Sequence, residues 1–259
     1  YVVNSMDTTV PMHLRPPSTS PSEERMYPED LKWYKYFDAL AGKITGYEKA
    51  GDVYNDYGNG QPLFGHGPDF GYWYYGAIWY GDELWNGGRP KDYDGDGDKD
   101  QLDMLAWDEE ANNGEGFHEW KPVTHPLHDS VEAGGFHPKF FSQNPPPAHL
   151  ETWASNQALF NKELISHLPR LEWGDFTVRQ VKKHRGDSVD YDLTVRFRNA
   201  GMLPTALSQA HLVKIVKPDE VRIKIRSDST SRYRILEPAP VSRRRESMMY
   251  SDEESRGPE

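Results

Sequence analysis

Between residues 92 and 103 the chain reads DYDGDGDKDQLD, with acids at Asp92, Asp94, Asp96, Asp98, Asp100 and Asp103. A regular helix or strand would set these like charges against one another, and the glycines at 95 and 97 weaken both. The run can instead form a tight loop turned inward on a cation. Its spacing meets the twelve-residue calcium pattern D-x-D-x-D-G-x5-[D/E]. Asp92, Asp94 and Asp96 take positions 1, 3 and 5, and Gly97 takes the sharp turn at position 6. Asp98 offers a backbone carbonyl at 7, and Asp103 closes the loop at 12. We therefore expect Ca²⁺ to bind at Asp92, Asp94, Asp96, Asp98 and Asp103. No long amphipathic helices flank the loop, so its expected role is to hold a long connection in place rather than to act as a sensor.

The rest of the chain divides by texture. PEDLKWYKYFDALAGKITGY places Leu31, Tyr34, Phe37, Leu40 and Ile44 near helical spacing after the acids Glu29 and Asp30, which predicts a helix over 29–43. Residues 47–76, rich in glycine and aromatics, read as an ordered loop. AIWYGDELW, 77–85, reads as a buried strand, and residues 86–150 read mostly as loop. HLETWASNQALFNKELISH, 149–167, is the clearest helix. From Leu171 apolar and charged residues alternate, as in half-buried antiparallel strands, which predicts a β-sandwich module over 171–236. The remainder, 237–259, is charged and poor in core residues, and we expect it to be disordered.

Charge is unevenly spread. Residues 171–259 carry 17 Lys and Arg against 14 Asp and Glu, leaving 13 against 27 in residues 1–170. That acidic first part argues against nucleic-acid and anionic-membrane partners and suits divalent cations. No apolar run approaches the ~18 to 20 residues of a membrane span. The absence of cysteine removes disulfides, thiolate zinc sites and a cysteine nucleophile. With neither an initiator Met nor a leader pattern, the chain reads as a piece whose export signal lies upstream.

Glu83 stands inside the apolar strand 77–85, where a carboxylate costs several kcal/mol unless it is paired or serves a metal. The surrounding run DFGYWYYGAIWYGDELW, 69–85, resembles the region of the catalytic glutamate in M14 zinc carboxypeptidases. An ordered series extends that resemblance to the large secreted bacterial members. It comprises LRPPSTSPSEE with PEDL and ITGY, then FHEWKPVTHPLHDSVEAGG, then NPPPAHLE with LISHLPRLEWGD, and finally RNAGMLPTALSQA. Together these cover nearly all of 1–225.

The resemblance implies an α/β fold, with the C-terminal part of a zinc-carboxypeptidase-like mixed sheet in 1–170 and a small all-β sandwich appended. It implies hydrolysis of peptides at a free C-terminus, with Glu83 as general base for a zinc-bound water. The family's H-x-x-E pair is absent from this chain, so most zinc ligands are expected upstream, in a missing N-terminal part of the same protein. Counting back from Leu14-Arg15-Pro16, the family's distant histidine falls at Asp7, which can ligate zinc through oxygen. His13 is a second candidate. Tyr57 is nearest to the family's mobile substrate-binding tyrosine, whose counted position is Gln61. His125 and His128 form H-x-x-H in a loop and read as structural. The implied partners are peptide or protein C-termini, and the implied location is secreted, periplasmic or cell-surface. Two other readings stay open: an inactive carboxypeptidase-fold binding protein, and a calcium-stabilised cell-surface structural module.

Overall fold

A computed structural model describes residues 2–5 by their backbone, and 11–19, 25–58, 60, 65–85, 87–89, 91–186 and 188–222 in full. The chain divides into two units, Tyr1–Asp219 and Glu220–Glu259, and only residues 220–222 of the second are described. The first unit is mixed α/β. A four-stranded sheet runs in the order β1-β4-β2-β3, from β1 (Val2–Ser5), β2 (Met12–Arg15), β3 (Lys49–Asp52) and β4 (Tyr80–Glu83). β1 and β4 are parallel, as are β2 and β3, while β4 and β2 are antiparallel.

Helices α1 (Pro28–Thr45) and α4 (Pro147–Ser166) lie against this sheet. Both begin on Pro, whose missing N–H would have no partner there in any case. α1 ends at Gly46 in the left-handed region, φ 73°, closing its last turn onto Gly42. Tyr34, Phe37 and Ala41 of α1 meet Tyr80 of β4 and Phe160 and Leu164 of α4 in the main core. Side chains alternate along β4, so Tyr80 and Asp82 face these helices while Gly81 and Glu83 face the other side. On that other side Met12, Leu14 and Val53 form a small cluster against which Tyr57 packs. Pro68, in the one-turn helix α2 (Gly67–Asp69), approaches within 3.2 Å of where a Cβ on Gly81 would sit.

The stretch 86–150 is more ordered than its composition suggests. It holds helix α3 (Gln101–Ala111) and the antiparallel pair β5 (Phe117–His125) and β6 (His128–Phe136). The charges in QLDMLAWDEEA hide the helix, because only Met104 and Trp107 supply its apolar face. These two meet Trp85 and Phe141 in a second core cluster. Asp108, fully buried, accepts the N–H groups of Gly116 and Phe117 and the Asn112 amide, and so closes the turn after α3.

The expected sandwich is not present among the described residues of 171–222. They form a single hairpin, β7 (Leu171–Lys183) with β8 (Val189–Asn199), followed by a short 3-10 turn at Ser208–Leu212. Alternation along two strands specifies a one-sided sheet but cannot specify a second sheet. One face of the hairpin carries Trp173 opposite Phe197, Phe176 opposite Val195 and Val178 opposite Leu193. The other carries the ion pairs Glu172–Arg198 and Arg179–Asp192. Residues 223–236 of the proposed module, and the tail 237–259, lie outside the described residues.

Candidate functional site

Glu83 is the last residue of β4 and is 6 % exposed. Its backbone stands opposite Ser5 of β1 on one side and Met12 of β2 on the other. Directly opposed residues of an antiparallel pair point to the same face, so Glu83 shares a face with Met12 and with the cluster on which Tyr57 rests. Asp7, the candidate zinc ligand, and Gln61 lie outside the described residues. The strands on either side of Asp7 are the two that flank Glu83.

The polar neighbour of Glu83 behaves differently. Asp82 is fully buried on the opposite face, where its Oδ1 lies 3.0 Å from His13 Nδ1 and its Oδ2 accepts the Gln157 amide N–H. His13 Nε2 is 2.9 Å from the Thr45 hydroxyl. Both ring nitrogens of His13, the second candidate for a zinc ligand, thus meet protein partners inside the core. Burial raises the Asp82 carboxyl above its ordinary range, against the opposing pull of His13. The sequence showed two acids in one strand; period-2 alternation alone implied that they serve opposite faces.

Arg15 is also buried, 3.0 Å from Asp38 and 3.4 Å from Asp52. Burial raises Asp38 despite Arg15. Burial also pushes Asp52 upward, but the Asn55 and Ser18 donors and Arg15 outweigh it and leave the group below its ordinary value. An open groove of about 480 Å³ is lined by Gly65, His66, Gly67, Asp69, Phe70, Trp73 and Tyr74. His66 Nδ1 lies 3.5 Å from Asp69 there. His125 and His128 pair across the closed end of the β5–β6 hairpin, with ring centroids 4.8 Å apart.

A family described as a domain of unknown function (DUF8731) matches residues 170–238. No curated protein and no solved structure matches the chain. The matched span begins one residue before the hairpin, at Arg170, and includes the module drawn from the sequence at 171–236.

The acidic loop takes the turn that its spacing predicts. Gly95 and Gly97 have φ of 77° and 96°, where a side chain would be strained. Asp92 accepts the Gly95 and Gly97 N–H groups at 2.6 and 2.9 Å. Asp94 and Asp96 accept the N–H groups of Asp96 and Asp98. Carboxylate oxygens of Asp92, Asp94 and Asp96 lie within 4.8 Å of one another. The Gly97 and Gly95 donors lower Asp92. For Asp94 the Asp96 N–H pulls down, but desolvation and the charges of Asp96, Asp103 and Asp92 outweigh it and raise the group. Such a trio of carboxylates could hold a metal ion.

Asp103 does something else here. It is buried, its Oδ1 accepts the Tyr93 N–H at 2.5 Å, and its Oδ2 accepts the Asp100 N–H at 2.8 Å. With Asp100 it forms the capping box that starts α3. Asp98, like Asp103, is not part of the carboxylate trio.

Proposed function

We propose that this chain is the general-base-bearing portion of a secreted metallocarboxypeptidase-type hydrolase, with the acidic loop as a calcium-held brace. The observation that carries this reading is the placement of Glu83: a carboxylate withdrawn from solvent at the end of a sheet strand. It lies on the face occupied by the Tyr57 cluster and between the two strands that flank Asp7. A carboxylate in that setting is suited to take a proton from a water and pass it to a leaving amine.

The described residues bring together no zinc donor set, the one metal-competent cluster among them being Asp92, Asp94 and Asp96. Zinc thus belongs to this reading only through Asp7 and the expected upstream part. For calcium the chemistry of the donor set fits, and the three carboxylates would hold the ion at the base of α3. The test is peptide hydrolysis by the protein joined to its upstream part, with Glu83→Gln as the diagnostic change.

The alternative of an inactive binding protein is favoured by Asp7, an aspartate at the position where the family has a zinc-binding histidine. It is told apart by the same assay, because it requires peptide binding without turnover.

A further inference from the structure

The two faces of the β7–β8 hairpin are chemically unlike. One carries the ion pairs Glu172–Arg198, Arg179–Asp192 and Asp175–Arg196, so its charges meet partners within the hairpin. The other is built from the cross-strand pairs Trp173 with Phe197, Phe176 with Val195, Val178 with Leu193 and Gln180 with Tyr191, none of them charged. Its apolar side chains stand open: Trp173 is 74 % exposed, Phe176 62 %, Tyr191 56 % and Val178 53 %. The described residues after β8 pack elsewhere. Leu203 and Leu207 enter the main core beside α1 and α4, and Ala210 lies against Gly76.

A two-stranded ribbon has little stability in water until a further layer covers its apolar face. The exposed rings and aliphatic side chains here offer on the order of 600 Å², the upper end of what a soluble monomer leaves bare in one patch. A cover has to fit a strip only two strands wide, about 10 Å across with its side chains, and bring no charge onto it. The same face of a second copy meets both conditions by identity, and no like charges oppose one another when it does. Sheet faces stack about 10 Å apart, and a two-fold axis lets each row of side chains interleave with its counterpart.

We propose that the chain self-associates face to face through the β7–β8 hairpin, as a two-fold dimer in which Trp173, Phe176, Val178, Leu193 and Phe197 of both copies form one apolar layer. This does not depend on the hydrolase reading. Two such faces bury about 1,200 Å² together, the small end of specific interfaces. The dimer is accordingly weak, with a dissociation constant on the order of 10⁻⁵ to 10⁻⁴ M. In the dilute solutions of an unfolding experiment, at about 1 µM, the copies are apart and the face is bare. The middle of the strip falls between the Phe176–Val195 and Val178–Leu193 pairs, so an axis there sets Val178 near its own mate.

The experiment is sedimentation equilibrium of the 259-residue chain from about 1 to about 300 µM, with salt near about 0.15 M to screen the net charge of -11. The average mass should climb from one chain toward two. Trp173→Arg should weaken the association at least about tenfold, because it puts an unpaired charge into the layer. The chain has no cysteine, so a single introduced thiol reports its own surroundings. At about 100 µM, a short bismaleimide should join Val178→Cys into dimers and leave Thr194→Cys, on the charged face, as monomers. A wild type that stays monomeric at the highest concentration, whatever covers its hairpin, overturns the proposal. So does a dimer that Trp173→Arg leaves intact, or one that is joined as readily through Thr194→Cys as through Val178→Cys.

Discussion

Asp30 opens α1, and at the level of single residues it has a second use beyond the helix dipole. Its Oδ1 accepts the Ser208 N–H at 2.7 Å, and its Oδ2 accepts the Gln209 N–H and the Tyr72 hydroxyl, each at 3.0 Å. One buried carboxylate thus ties the first turn of α1 to a turn nearly the whole unit away in sequence. Replacing it by alanine strands two amide donors in the core. Asp30→Ala should cost about 2 to 4 kcal/mol of stability by urea unfolding, and a loss within 0.5 kcal/mol, the size expected of a surface substitution, would show that these donors find other partners. An acid at the start of a helix was legible from the sequence, but its partners were not, since nothing local links residue 30 to residue 208. His13, Asp82 and Gln157 were hidden for the same reason: separations of 69 and 75 residues leave no periodic signal.

Among the elements, the acidic loop and α3 share one device. Asp103 gives its oxygens to the Tyr93 and Asp100 N–H groups and so anchors the loop to the helix. Asp103→Ala should destabilise the chain by about 1 to 2 kcal/mol, with or without calcium, because a capping box is lost. Asp94→Asn with Asp96→Asn should leave that anchor intact and instead abolish calcium uptake. For the unaltered protein, calorimetric titration should show one Ca²⁺ bound, with a dissociation constant of about 10⁻⁴ to 10⁻³ M, as in extracellular modules. No heat and no rise in Tm at about 10 mM calcium would refute the brace.

Both long helices were readable, α1 and α4 lying within two residues of the ends expected at 29–43 and 149–167. Helix α3 and the β5–β6 hairpin were not. The helix keeps its apolar residues to a narrow stripe, and the hairpin is exposed on both faces, so neither has the contrast from which periodicity is read.

For the molecule as a whole, a mixed α/β unit was expected from the family resemblance, whereas strand order was not legible in the sequence. β1 and β2 flank β4 although some 65 residues separate β2 from it, and short strands carry no signal of such pairing. The alternation after Leu171 was real, yet it settled on one hairpin. Its apolar pairs, Trp173 with Phe197 foremost, remain largely exposed among the described residues. Trp173→Ser should therefore cost less than about 0.5 kcal/mol by urea unfolding of this chain, as surface changes do. A loss of several kcal/mol would show that this ring is covered in solution.

Under the proposed function Glu83 moves protons for peptide hydrolysis in the assembled protein, and Glu83→Gln is the variant that tests it. The measurement is release of C-terminal residues by the protein joined to its upstream part, on peptides with free and with amidated ends, alongside metal content. We predict turnover on free ends only. It should fall about 10²- to 10⁴-fold in Glu83→Gln, as expected for loss of a general base, with bound metal unchanged. Undiminished turnover in Glu83→Gln, or none in the assembled wild type, would contradict the account.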